Sequence, residues 1–498
     1  ADRVEAAASG LAASGVAPGD RVGLLLPNSV DFLVMALACL WVGAAFVPVS
    51  VEDPPARARR VVADCRPALV IGPGAPARAA PAIALATTLG QSPVAAPTVG
   101  TATVETVLGR AGPSPAIAED PQRDAYLIYT SGTTGAPKGV RVPERALRAA
   151  VVACRDAVGF GPSVRALCPS PFHFDGAYGT LLPPLVAGGF VFIPNREELL
   201  FLKRFFSAVL VEGINHSGCS PSYLRMLRSS PQFRALSSSR LATFGLGGEE
   251  CDATDVAALW DVLPGLRVFN RYGPTETTIE VTTYEVAPED VERGRIPLGR
   301  PHPGTIFAVL GEEGTPVGTP GEVGELYIAG EQVMRGYWGD EELTASTLSS
   351  DVVAGQVAYR TGDLVWEDDK GRFFYAGRCD EVVKRNGVRV SLVEIELALH
   401  RLRGVSGAAC ALSEDEGRSR IAAFAQAAPG TSVAELFGEL GGYLPKSMFP
   451  DEIYVVPSLP VTSRGKVDRR RLLAEAGLAV GAPRQGGERV SPGAGSPQ

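Results

Sequence analysis

At 498 residues with 45% hydrophobic side chains, the chain is long enough for two or more domains and apolar enough to bury large cores, which excludes a disordered polypeptide. A formal net charge of −8 removes the basic surface that broad, salt-dependent attraction to nucleic acid requires, so no nucleic-acid partner is expected. The eight cysteines are scattered with no Cys-x-x-Cys pair, which signals neither a zinc site nor a disulfide framework and suits a reducing cytoplasm. Ala1 opens the chain with no charged-then-apolar leader behind it, so no signal peptide is read, and a truncated start is compatible with this.

In chain order, residues 2–14 and 30–41 carry helical apolar spacing, while 21–26 and 68–71 are short apolar strands. That alternation predicts layered α/β structure with parallel sheets. Residues 32–49 form an apolar run as long as a membrane span, but Gly43 and Pro48 interrupt it and Asp31 borders it, so no membrane segment is expected. Residues 72–114, rich in Ala, Pro, Gly and Thr, read as a variable surface segment without chemistry.

A strand at 125–129 then delivers Tyr129-Thr130-Ser131-Gly132-Thr133-Thr134-Gly135-Ala136-Pro137-Lys138-Gly139. Glycines let backbone approach an anion, hydroxyls donate hydrogen bonds, and Lys138 adds charge, so the run suits a polyphosphate. It fails the P-loop pattern, because Pro137 precedes Lys138 and Gly139 follows it. A flexible Gly/Ser/Thr surface loop is the plain alternative. Residues 297–375, dense in Gly, Pro and β-branched side chains with a short strand at 324–329, suggest an antiparallel, barrel-like unit. Farther on, 390–400 has helical spacing and 422–426 and 451–455 read as strands, giving a small α+β domain. The tail 481–498 is Gly, Pro and Ser rich and reads as disordered or as a linker. No internal repeat is visible.

The glycine-rich loop is followed, in order, by Asn270-Arg271-Tyr272-Gly273-Pro274-Thr275-Glu276, Gly324-Glu325-Leu326, Tyr359-Arg360-Thr361-Gly362-Asp363, Gly377-Arg378-Cys379-Asp380 and Gly465-Lys466. In these motifs and their order the chain resembles the adenylate-forming superfamily, and within it the amino-acid adenylation domains of nonribosomal peptide synthesis, from its start to about residue 473. The resemblance implies a large N-terminal α/β core (1–379) with a β-barrel-like subdomain, and a small mobile α+β domain (380–480) hinged at Asp380. It also implies a buried helix to about Val42, a turn, and a strand at 45–49.

The activity implied is ATP-dependent activation of an amino acid to its adenylate with release of pyrophosphate, with ATP and Mg2+ as cofactors. Lys466 would bridge the substrate carboxylate and phosphate oxygens, with Thr275 and Glu276 beside it and Glu276 holding magnesium. Thr130, Ser131, Gly132, Thr133, Thr134, Lys138, Gly248, Asn270, Arg271, Tyr272, Gly273, Asp363 and Arg378 would meet the nucleotide, Tyr272 stacking on adenine and Asp363 accepting from the ribose hydroxyls. Lys384 belongs to the segment that would swing in when a carrier thiol attacks. Taken without the resemblance, each of these is an ordinary loop or surface residue.

Asp175, in Phe172-His173-Phe174-Asp175-Gly176, falls where such enzymes pair an aspartate with the substrate ammonium, and a neutral acid would leave that charge unpaired. An aspartate capping a local turn is the alternative. The remaining acyl positions carry across as Gly176, Gly179, Gly218, Gly245, Gly247, Arg271, Ile279 and Glu280. So many glycines imply either a wide cavity or loops that close in. Arg271 and Glu280 either pair with each other or one of them meets the substrate, which ranks a polar or charged amino acid above an aliphatic one. The expected partners are the amino acid, a carrier protein supplied in trans because no Gly-Gly-x-Ser motif follows, and in some such systems a small helper protein. The rival readings are an acyl- or aryl-coenzyme A ligase, for which Asp175 discriminates, and a noncatalytic nucleotide-binding relative.

Overall fold

The computed structural model describes residues 1–72, 100–110, 112, 115, 119–130, 137–195, 198–199, 201–311, 314–379, 382–385, 388–415, 418–428, 430–460 and 467–478. Ser131, Gly132, Thr133, Thr134, Asp380, Lys466 and the 481–498 tail lie outside them.

Helix α1 (Asp2–Ala13) leads into the first sheet, built from β1 (Arg21–Leu24), β2 (Ala45–Pro48), β3 (Leu69–Gly72), β4 (Gly100–Thr103), β5 (Asp124–Thr130) and β6 (Lys138–Pro143). β1 runs parallel between β2 and β3, β4 extends β3, β5 joins β2, and β6 turns back antiparallel on β5. That hairpin sets Thr130 opposite Lys138, so the two ends of the glycine-rich loop are held together by ladder register. Helix α2 (Val30–Trp41) begins where the Ser29 hydroxyl accepts from Phe32 N at 3.1 Å, and the apolar run ends in β2. No helix among the described residues is long and apolar enough to cross a membrane.

The 72–114 segment departs from expectation at its far end. There β4 pairs in parallel with β3, and the Val104–Leu108 helix buries Val104 and Val107 in the core. A Cβ on Gly10 of α1 would lie 1.9 Å from the Val107 carbonyl oxygen, so the two helices meet backbone to backbone. A compositional reading missed this because the packing partner is α1, about a hundred residues earlier.

A second sheet holds β7 (Arg165–Leu167), β8 (Phe190–Phe192), β9 (His216–Cys219), β10 (Thr243–Gly247), β11 (Arg267–Tyr272) and β12 (Thr282–Glu285). It is parallel from β8 through β7, β9 and β10 to β11, with β12 antiparallel at its edge. An antiparallel unit follows: β13 (Thr305–Leu310) on β14 (Gly324–Gly330), while β15 (Gly336–Tyr337) leaves to pair with β6. β16 (Leu348–Val353), the long β17 (Gln356–Glu367) and β18 (Phe373–Arg378) complete it, β17 pairing with β14, β16 and β18.

The C-terminal part opens on a hairpin of β19 (Val382–Arg385) and β20 (Val388–Ser391), then the Leu392–Leu399 helix. That helix starts later than its spacing suggested, because Val390 and Ser391 are spent pairing with β19. A small sheet of β21 (Gly407–Asp415), β22 (Arg418–Gln426) and β23 (Glu452–Val456) packs behind it. Contacts among the described residues tie this part to the rest. Arg57 of α3 (Pro55–Cys65) donates to Glu394 at 2.5 Å, and Phe174 packs against the cluster around Val390 and Leu392.

Candidate active site

β6, β15 and the turn that follows β11 bring their side chains together near the carboxyl end of β11, the kind of position where open α/β sheets take ligands. On the nucleotide side Lys138 opens β6 and Glu276 sits, fully buried, in the Thr275–Thr277 turn. Lys138 Nζ lies 3.1 Å from Glu276 Oε1 and donates to the Tyr337 hydroxyl at 2.9 Å, which itself donates to the same carboxylate oxygen at 2.8 Å. The ammonium also stands 4.3 Å from the Tyr337 ring centre. Tyr337 was not anticipated: it enters from β15, far from the motifs in sequence. Thr130 Oγ1 is buried at the mouth of the loop and, among the described residues, has no hydrogen-bond partner, which suits a donor waiting for an anion.

The ribose-side expectations also come together. The Tyr272 hydroxyl donates to Asp363 Oδ2 at 2.6 Å, Arg378 donates to Asp363 Oδ1, and Arg378 Nη2 reaches the Thr361 carbonyl at 3.1 Å. Burial and the facing Asp363 push the Tyr272 phenol well above its ordinary pKa. The Tyr272 ring belongs to a core cluster with Val281 and Leu298, and Asn270 spends its amide on the Pro297 carbonyl at 2.8 Å. Gly248 follows β10 with φ +84°, which glycine alone adopts without strain. Lys384 lies in β19, its backbone paired with Arg389.

The acyl side is built on a strained turn. Thr278 and Ile279 have φ of +61° and +67°, uncommon for any side chain and costly for a β-branched one. Gln332, 2% exposed and also not anticipated, clamps the turn by donating to the carbonyls of Thr278 at 3.2 Å and Glu280 at 2.7 Å. The strain directs the Ile279 amide to Asp175 Oδ2 at 3.2 Å, while Thr275 Oγ1 donates to Asp175 Oδ1 at 3.1 Å. Asp175, 8% exposed, opens a short turn ahead of the Tyr178–Val186 helix, and its carboxylate also accepts locally from the Gly176 amide. Burial foremost, with Glu276 adding, pushes its carboxyl up to about 6.

Arg271 and Glu280 do meet: Arg271 Nε is 3.7 Å from Glu280 Oε2, with both side chains buried. Arg271 also reaches the Gly179 carbonyl at 3.4 Å and His216 Nε2 at 3.5 Å. Burial, with Arg271 adding, holds His216 well below its usual pKa, so the ring is neutral and can accept. The glycines do not leave a wide cavity. A Cβ on Gly245 would fall 2.6 Å from Arg271 Nε, one on Gly218 3.0 Å from the Gly245 carbonyl oxygen, and one on Gly247 2.9 Å from the Arg271 carbonyl oxygen. Gly179 faces Ile279 at 2.9 Å, whereas Gly176 faces open space. Gly273 is required by close approach, since a Cβ there would meet Glu280 Cα at 2.5 Å.

A family model described as AMP-binding enzyme matches residues 1–338. Phenyloxazoline synthase MbtB of Mycobacterium sp. is 33% identical over 483 residues, 95% of this chain and 39% of that protein. L-proline--[L-prolyl-carrier protein] ligase of Streptomyces coelicolor is 31% identical over 497 residues, 97% of this chain and 92% of that protein. The solved structure of IdnL1 superposes with a TM-score of 0.75 at 28% identity, covering 92% of this chain and 91% of that one. The amide bond synthetase McbA from Marinactinospora thermotolerans reaches a TM-score of 0.80 at 24% identity, covering 95% of this chain and 93% of that one, a likeness of fold. The chain spans about two fifths of the length of the MbtB relatives it matches.

Proposed function

The chain belongs to the AMP-binding enzyme family, and from that membership we propose that it is an amino-acid adenylation enzyme. It joins an amino-acid carboxylate to the α-phosphorus of ATP, releases pyrophosphate, and hands the acyl group to the phosphopantetheine thiol of a carrier protein. One observation carries the amino-acid reading. Asp175 is a buried carboxylate that accepts from the Thr275 hydroxyl and from the backbone amides of Ile279 and Gly176, and it makes no ion pair among the described residues. A buried charge needs an opposite one, and the substrate ammonium supplies it.

Thr130 and Lys138 bind the polyphosphate, Lys138 leaving Glu276 as it does so. Glu276 fits a magnesium site: it is fully buried and already faces a cation. No cluster of three or more His, Cys, Asp or Glu capable of holding a metal occurs among the described residues, so phosphate and water would supply the other ligands. When bound, the ion neutralises charge on the departing pyrophosphate. Asp363 and Arg378 hold the ribose, and Asp175 orients the amino group so that the carboxylate faces the α-phosphorus. A carboxylate oxygen attacks phosphorus as the bond to pyrophosphate breaks, and Lys466 stabilises the charge shared by the two anions.

In this reading residues 1–379 form the body and 380–480 pivot at Asp380, bringing Lys466 and then the Lys384 segment to the same cleft. The carrier thiolate then attacks the acyl carbon and AMP leaves. A relative named for loading a carrier protein, matched over 92% of its length, supports this second step. Substrate-dependent ATP–pyrophosphate exchange tests the first step, and exchange confined to acids without an amine would favour a coenzyme A ligase instead.

A further inference from the structure

Resting on the adenylation reading, we propose that Arg271 is the floor of the acyl pocket and restricts this site to amino acids with short, uncharged side chains. Gly179 and Gly245 border a space into which Arg271 has folded. The hypothetical Cβ of Gly245 falls 2.6 Å from Arg271 Nε and 2.8 Å from Cζ, and that of Gly179 lies 3.8 Å from Nη1. A side chain at Gly245 would therefore expel the arginine, so the glycine is matched to the guanidinium rather than to a bulky substrate.

The arginine is fixed from behind. Glu280 compensates its charge, and Glu280 Oε1 accepts from Thr283 at 2.9 Å, with the Cys154 thiol as a further donor. Thr283 in turn contacts His302 Nε2 at 3.0 Å. Glu280 is thus occupied by protein groups and does not reach for a substrate cation.

Length and charge then point the same way. Asp175 and Gly179 lie four residues apart on a turn that runs into a helix, roughly 6 Å of rise. Gly176, next to Asp175, faces open space. A substrate whose ammonium meets Asp175 has about one helical turn before it meets Arg271. The pocket's charges are also complete once that ammonium is bound: Asp175 answers it, and Arg271 and Glu280 answer each other. A side-chain carboxylate or ammonium would add an uncompensated charge to a buried site.

ATP–pyrophosphate exchange with glycine, alanine, serine and β-alanine against leucine, phenylalanine, aspartate and lysine tests this. The expected result is a preference for the short uncharged group of about 100-fold in kcat/KM over the others. In Arg271→Ala, and in R271A/E280Q, which leaves no buried carboxylate unpaired, the leucine-to-alanine ratio of kcat/KM should rise at least about tenfold. Because each ratio is internal to one protein, partial loss of folded enzyme does not distort it. A wild-type preference for long or charged amino acids, or an unchanged ratio in the double variant, overturns the role of Arg271 while leaving adenylation standing. Exchange with no amino acid in the panel overturns the adenylation reading, and this inference with it.

Discussion

On the nucleotide side Glu276 already faces a lysine at 3.1 Å and Asp363 an arginine, whereas on the acyl side Asp175, among the described residues, is held by neutral donors, the Thr275 hydroxyl and the Ile279 and Gly176 amides. The first arrangement stores its charges in pairs that a polyanion and its metal can exchange for new ones. The second keeps a carboxylate short of a cation, at a cost visible in its raised pKa. In the proposed mechanism ATP displaces the first set of pairs. A carboxylate lacking a cation makes the acyl side selective, because it is satisfied by one kind of ligand.

The largest effect expected is at Lys466, which the proposed mechanism assigns to the charge shared by the two anions. Lys466→Ala should lower adenylation by about 10²–10³-fold while ATP still binds, checked by exchange rates beside nucleotide titration. Next, Asp175→Ala should reduce kcat/KM for the amino acid by about 100-fold and leave ATP KM within about twofold, which separates the two sides directly. Equal losses for an amino acid and its deamino analogue would break the contrast.

A pH profile sharpens it further. Burial raises the Asp175 carboxyl to about 6, so below that pH it is protonated and neutral in the free enzyme and cannot answer an ammonium. The kcat/KM for the amino acid should fall about tenfold per pH unit on the acid side of that value and level off above it. Smallest is Tyr337→Phe, which removes one hydroxyl from the Lys138–Glu276 contact. It should raise the KM for ATP by several-fold, and leave the KM for the amino acid unchanged.

The two sides also differed in how far they could be read beforehand. Helix α2 falls at the expected 30–41 because its apolar run is continuous and Gly43 stops it, and the structure adds the Ser29 cap at its start. Lys138 stood out because anion chemistry restricts residue types within its glycine-rich loop, whereas Glu276 and Asp363 were legible only through the resemblance of their motifs to the family. The acyl pocket was different. Whether glycines line a cavity depends on which distant side chain turns into the space, and nothing local to Gly245 or Gly179 reports the course of Arg271. Gln332 gave no signal either, since a lone glutamine after Gly330 and Glu331 has no periodicity to betray it. Tyr337 was invisible for a topological reason: β15 returns from the antiparallel unit to the first sheet, a crossover that spacing does not encode.

ATP–pyrophosphate exchange by the wild-type enzyme, with each amino acid run beside the same acid lacking its amine, tests the central claim most directly. Exchange with an amino acid and none with its deamino counterpart is the predicted result. Equal exchange with both, or exchange with the deamino acid alone, would contradict the pairing of Asp175 with a substrate ammonium.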